Sequence, residues 1–179
     1  SLGMAHAFID AVSKTGADAI KFQTHIAEAE TTYSEPWRVK FSTQDNTRYD
    51  YWKRMEFSED QWLELRQHSE EVGLKFLSSP FSIEAVQLLN KIGVYIWKIP
   101  SGEITNFPML EVIIDTRKDI IISTGMSPLS EIDNTVKFLS EAQSNLTVLQ
   151  CTSMYPTPPE NIGLDMIGEF RKRYSCDVG

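Results

Sequence analysis

Basic residues, cysteine and histidine are all in short supply in this sequence, and each shortage excludes something. Lys and Arg number 17 against 25 Asp and Glu, a formal charge of −8. That balance argues against a polyanion such as DNA, because neutralising many phosphates needs a basic surface. A small anion needs only a few local cations. The two cysteines, Cys151 and Cys176, lie in apolar or strand-like surroundings without metal-ligand spacing. They read as reduced thiols of a cytoplasmic protein. The three histidines, His6, His25 and His68, also lack ligand spacing, and His6 and His68 fall in helical patterns. All three read as structural or exposed. No apolar run approaches the ~20 residues that span a membrane, and no basic segment followed by an apolar one marks an export signal. What is present is ordinary for a soluble globular protein: 41% apolar and 23% charged residues. The 179 residues are enough for one domain with a sizeable core. The sequence opens directly on a helical pattern, so further residues are expected upstream.

One grammar repeats along the chain: a short β-rich apolar run, a polar cluster, then an amphipathic helix. The runs are Asp18–Thr24, Lys75–Ser79, Val94–Ile99, Asp119–Thr124 and Leu146–Thr152. None alternates cleanly, as expected of strands buried on both faces. From Val94 onward the run starts lie roughly 25 residues apart, the length of a βα unit with one crossover helix. The first helix is expected to turn Ala5, Phe8, Ile9 and Val12 inward. Ser58 with Gln61 resembles a capping box, opening a helix with Trp62, Leu65 and Val72 inside. Ser82 caps a third, with Val86 and Leu89 inward and Gly93 as its stop. Pro108 and Pro128 suit first helical turns, and Ile132, Val136 and Leu139 line the inner face of the helix after Pro128. Leu164–Tyr174 makes a sixth helix, and Cys176–Gly179 reads as a strand just beginning.

Such alternation implies a parallel sheet, open or closed into a barrel. Polar clusters recur at successive strand ends: Ser78-Ser79, Ser101-Gly102-Glu103, Ser123-Thr124-Gly125 and Thr152-Ser153. A barrel gathers all these ends around one mouth, whereas an open sheet concentrates function at one switch point. The fold class expected is therefore α/β, a (β/α)8 TIM barrel. With five strands, six helices and one strand start, against eight of each in a closed barrel, it is expected to be incomplete. The stretch Ile26–Lys53 breaks the grammar. It is long, polar and aromatic, and reads as a lid or an oligomer contact.

Candidate chemistry sits on those strand ends. Lys21 and Gln23 share one face of a strand, opposite Phe22, and a buried lysine needs an anion. Lys98 ends another strand. Two lysines converging on one mouth would make a phosphate or carboxylate site, with Ser101, Ser123 and the Gly102 and Gly125 backbones as further donors. The alternative is that each lysine merely pairs with a neighbouring carboxylate. Glu103 could act as general acid, base or hydroxyl ligand, or be simply solvated. Ser79 could bind a ligand or cap a helix. Tyr155, before Pro156-Thr157-Pro158-Pro159, could wall a sugar or pack.

The motifs Ile20-Lys21-Phe22-Gln23-Thr24, Leu77-Ser78-Ser79-Pro80-Phe81, Lys98-Ile99-Pro100-Ser101-Gly102-Glu103, Ser123-Thr124-Gly125-Met126 and Cys151-Thr152-Ser153-Met154-Tyr155-Pro156-Thr157-Pro158 resemble, in order and spacing, the bacterial N-acetylneuraminate (sialic acid) synthase family. The resemblance covers essentially the whole chain. It implies that Lys21, Ser79, Lys98, Ser101 and Ser123 hold phosphoenolpyruvate, and that Gln23, Glu103 and Tyr155 lie near an N-acylated amino sugar. Lys98 and Glu103 are the catalytic candidates. Ser153 falls at a phosphate-binding position where some members have Asn. The implied reaction is attack of phosphoenolpyruvate C3 on the sugar aldehyde, water addition at C2 and loss of phosphate, giving a nine-carbon 2-keto acid. The resemblance also implies a divalent metal, Mn or Mg, as Lewis acid. It places the metal-binding histidines after Gly179, a first strand with its Glu and Asn-His before Ser1, and a C-terminal antifreeze-like domain beyond this chain. A homodimer is expected of the full-length protein, and no activity or metal site of this piece alone. Exposed strand edges would make the isolated piece behave poorly. Two other readings stay open: a Schiff-base aldolase using Lys98, and a non-catalytic sugar-binding barrel.

Overall fold

The computed structural model describes residues 1–37, 39–142 and 144–179. The chain divides into two units, Ser1–Val94 and Tyr95–Gly179. In the first, helix α1 (Leu2–Ser13) leads to strand β1 (Ala19–Thr24), then to short helices α2 (Ala27–Glu30) and α3 (Arg48–Met55). Helix α4 (Glu59–Glu71), strand β2 (Lys75–Pro80) and helix α5 (Ile83–Ile92) complete it. The second runs β3 (Ile96–Ile99), α6 (Phe107–Ile114), β4 (Asp119–Ser123), α7 (Leu129–Ser140), β5 (Leu146–Leu149), a 3-10 turn (Pro159–Asn161), α8 (Asp165–Arg173) and β6 (Asp177–Val178). Every strand pairing is parallel, β1–β2 in one sheet and β3–β4–β5–β6 in the other. The class is α/β with parallel sheets, and no closed barrel is formed among the described residues.

In the first unit, Phe22 stacks on Phe76 at 5.7 Å and meets Trp62 of α4 edge-on. One face of the β1–β2 pair is thus covered by helix. Side chains alternate across a strand, so Lys21 and Gln23, with their register partners Leu77 and Ser79, share the other face. The helix boundaries follow from their caps. Ser58 and Gln61 form the reciprocal capping box, Ser82 accepts from the Ala85 N–H, and Gly93 ends α5 with φ +89°, a left-handed value that suits glycine.

In the second unit the same alternation sorts the sheet. Trp97, Ile99, Ile120, Ile122, Leu146 and Val148 are buried, and their neighbours Ile96, Lys98, Ile121, Thr147 and Leu149 are half-buried. The buried set is the helix-covered face, where Trp97 donates its indole N–H to Thr116 just past α6. Met109, Leu110 and Ile113 of α6, Ile132, Val136 and Leu139 of α7, and Phe170 of α8 supply the opposing apolar layer. At about 25 cal/mol per Å² of apolar surface removed from water, this layer is the main driving force of the unit.

Three expectations need correction. Phe8 is 59% exposed, whereas Ala5 and Ile9 are buried. Helix α1 also meets α4 through His6 and Asp10, on the side of Ile9 away from Phe8, which lies about 100° round the helix from Ile9 and stays uncovered. The helix after Trp62 stops at Glu71, leaving Val72 as its cap. The stretch Ile26–Lys53 is not simply a loop, since it contains α2 and most of α3. Helix α3 opens on a Thr47–Asp50 capping box. The segment is tied down by Arg48–Glu35 and Arg54–Asp45 ion pairs, and by the Ala27 N–H donating to Glu56.

Candidate functional site

Within the second unit, the polar clusters meet at the C-terminal ends of β3, β4 and β5. Lys98 Nζ donates to Ser123 Oγ at 2.5 Å and to the Ile99 carbonyl at 3.1 Å. The register explains this meeting: Lys98 pairs with Ile121, so Ser123 lies two residues further along the same face of the neighbouring strand. Just beyond, the Gly125 N–H donates to Ser101 Oγ at 3.1 Å. Gly125 lies so close to the next segment that a Cβ there would stand 2.8 Å from Ser153 Oγ and 2.9 Å from the Cys151 carbonyl oxygen. The Lys98 amine and the hydroxyls of Ser101, Ser123 and Ser153 therefore crowd three adjacent strand ends, a set of groups that matches the oxygens of a phosphate or carboxylate.

Glu103 stands in the turn after β3, half-buried, with its Oε2 accepting from Asn106 Nδ2 at 2.9 Å. Tyr155 is 93% exposed. It makes no hydrogen bond or ring contact among the described residues, so a packing role has no support, and the ring is open to solvent. Thr152, part of the same motif but not among the candidates, holds the loop by donating to the Asn161 and Ile162 carbonyls.

In the first unit, Ser79 Oγ is fully buried and has no hydrogen-bond partner among the described residues. Leaving a buried hydroxyl unsatisfied costs about 1–3 kcal/mol, which a ligand oxygen would offset. Ser79 caps no helix; Ser82 does that. The neighbouring hydroxyls, Thr24 and Ser78, satisfy each other at 2.7 Å on the opposite face. Gln23, the register partner of Ser79, opens on a cavity of about 440 Å³ that His25, Trp52 and Arg54 also line. Lys21 Nζ reaches only the Phe22 carbonyl, at a long 3.4 Å. Its side chain is exposed by area, yet enough protein crowds the amine to displace water, and this desolvation lowers its pKa from the ordinary lysine value. Among the described residues Lys21 has no carboxylate partner, against the simplest alternative for it.

The histidines are committed elsewhere. His6 pairs with Glu64 and His68 with Asp10, both between α1 and α4, and His25 bonds Glu30 while stacked between Trp52 and Phe81. Among the described residues, no group of three or more His, Cys, Asp or Glu side chains could hold a metal ion. The donors present do not fit a resident divalent metal. Cys151 and Cys176 are free and half-buried.

The NeuB family profile matches residues 8–179. The chain is 35% identical over 99% of its length to an N,N'-diacetyllegionaminic acid synthase of Campylobacter jejuni, and covers 55% of that protein. It is 32% identical over 97% of its length to the human N-acetylneuraminate-9-phosphate synthase, covering 49% of it. The solved structure of an N-acetylneuraminic acid synthetase from Leptospira borgpetersenii, in complex with citrate, superimposes with a TM-score of 0.85 at 28% identity, across 99% of this chain and 59% of that one. The chain spans about half the length of the curated relatives it matches.

Proposed function

The chain belongs to the NeuB family, and from that premise we propose that it forms much of the barrel of a synthase condensing phosphoenolpyruvate with an N-acylated amino sugar. The observation that carries this reading is the Lys98–Ser123 pair beside Ser101, Gly125 and Ser153 at three consecutive strand ends. In this reading the barrel is completed by residues outside this chain. The family resemblance assigns Lys21, Gln23 and Ser79 as the substrate-binding residues of the first unit.

The chemistry follows from the ligand's charges. Phosphoenolpyruvate is a phosphate and a carboxylate on one enol carbon, so Lys98 and Lys21 hold it as ammonium donors, with Ser79, Ser101 and Ser123 completing the shell. Carbon C3 attacks the aldehyde carbon of the open-chain sugar, forming the new C–C bond, and the aldehyde oxygen takes a proton. Water adds at C2 and gives up a proton. The C2–O bond to phosphate then breaks as the new C2 hydroxyl passes its proton to the departing phosphate, releasing inorganic phosphate and the 2-keto acid. Fixed cations stabilise the growing charge on the departing phosphate without reorganising at that moment. Glu103 orients sugar hydroxyls or relays the proton, and Gln23 and Tyr155 flank the sugar. A divalent metal, when bound by groups outside this chain, would polarise the aldehyde.

The match to the NeuB family, with relatives named legionaminic acid and N-acetylneuraminate-9-phosphate synthases, favours this reading over a Schiff-base aldolase using Lys98. The test is phosphate release by a protein carrying this chain in a complete barrel. It would be supplied with manganese, phosphoenolpyruvate and, in turn, N-acetylmannosamine, its 6-phosphate and the diacetamido sugars of the legionaminic and pseudaminic series. Release that requires both substrates is expected, with the unphosphorylated sugars preferred. No release with any N-acylated sugar would leave a binding module.

A further inference from the structure

We propose that Asn106 is a positioning residue for Glu103, coupling the direction of that carboxylate to the N-terminus of α6. This rests on the reading of Glu103 as a group acting on the sugar. Asn106 is bonded on every polar group it offers toward this turn. Its Nδ2 donates to Glu103 Oε2 at 2.9 Å, its Oδ1 accepts from the Met109 N–H at 3.3 Å, and its own N–H donates to the Glu103 carbonyl at 3.0 Å.

The Oδ1 contact makes Asn106 the N-cap of α6, a helix anchored by the fully buried Met109, Leu110 and Ile113. A capping amide differs from a capping aspartate in carrying an N–H donor as well as the acceptor, and from a capping serine in carrying the two on separate atoms, so that donor and acceptor can reach different partners. The acceptor alone satisfies the helix. The donor is spent on the carboxylate of Glu103, and fixing the direction of a long side chain is how a reacting geometry is pre-set. The turn Ser101–Thr105 has no regular secondary structure of its own. The link to a core-packed helix is thus a means by which the rigidity of the scaffold reaches the carboxylate.

The experiment separates capping from positioning in a protein carrying this chain in a complete barrel. Asn106→Asp and Asn106→Ser both keep a capping oxygen, but neither keeps the amide donor, and the aspartate adds a like charge beside Glu103. Both variants are expected to hold the parent's thermal midpoint and its KM for phosphoenolpyruvate. Their kcat should fall by roughly tenfold, Asn106→Asp by more than Asn106→Ser, and Glu103→Gln by at least as much as either. Parental kcat in both Asn106 variants, with Glu103→Gln impaired, overturns the proposal and leaves the role of Glu103 standing. Parental kcat in Glu103→Gln removes that role and the proposal with it. A fall in kcat that tracks a fall in thermal midpoint makes Asn106 a cap and nothing more.

Discussion

Gly125 is the residue whose substitution probes the strand-end geometry most sharply. An alanine Cβ there would sit 2.8 Å from Ser153 Oγ, 2.9 Å from the Cys151 carbonyl oxygen and 3.1 Å from its carbon. Ordinary contact is about 3.5–4.0 Å, so the segments must part by roughly 0.5–1 Å. Ser153 Oγ could rotate away, but the Cys151 backbone follows β5 and has less freedom. Overpacking of this kind costs about 1–3 kcal/mol, which for a chain of this size lowers the thermal midpoint by roughly 2–12 °C. Gly168 supplies the control. It lies in α8, and a Cβ added there would meet nothing within 4 Å. Gly168→Ala therefore gains helix propensity worth about 0.5–1 kcal/mol and should raise the midpoint by roughly 1–4 °C. Circular dichroism melts of both variants beside the parent decide it. A Gly125→Ala protein that melts with or above the parent would refute the close approach of the β4 end to the segment after β5, and with it the placing of Ser153.

Acid should destabilise both units through two bidentate ion pairs. Hydrogen bonds from Arg54 first, then Ser42, hold the Asp45 carboxyl at about 2, and Arg173 first, then Tyr174, holds Asp133 at about 2, each against an ordinary 3.8. A carboxyl depressed on folding stabilises above its unfolded pKa and loses that contribution as pH falls through the folded one. Urea midpoints should therefore fall between about pH 4 and pH 2, and the slope should flatten in Asp45→Asn and Asp133→Asn; unchanged slopes would contradict the pairs. Borohydride with pyruvate should leave no adduct on Lys98, read by peptide mass, whereas a trapped adduct would restore the aldolase reading.

Legibility in the sequence depended on the kind of signal. The parallel strands were legible as short β-rich runs, but burial on both faces holds for β2 and not for β1, β3 or β5, whose burial alternates; the alternation that put Lys21 and Gln23 opposite Phe22 is the one the register shows. Lys98 and Ser123 are 25 positions apart, one βα unit, so neighbouring parallel strands bring them together. Helix α3 was legible only in the Thr47-x-x-Asp50 cap, because polar and aromatic residues obscure its period and its hold comes from tertiary contacts such as Arg54–Asp45. Phe8 shows the limit of periodicity: the pattern gives a wide stripe, and the neighbour decides which part is covered. The unsatisfied hydroxyl of Ser79 is invisible in any string of letters, since its partnerless state depends on every atom around it. Asn106 carried a readable signal, a capping residue just before Phe107-Pro108, but its second bond to Glu103 needed coordinates.

The grip of Lys98 on an enol phosphate is tested most directly by calorimetric titration of phosphoenolpyruvate, without sugar. The titrated proteins are one carrying this chain in a complete barrel and its Lys98→Met variant. Saturable binding to the parent and at least roughly tenfold weaker binding to the variant is the expected result. Equal affinity for both, or no binding to either, would contradict it.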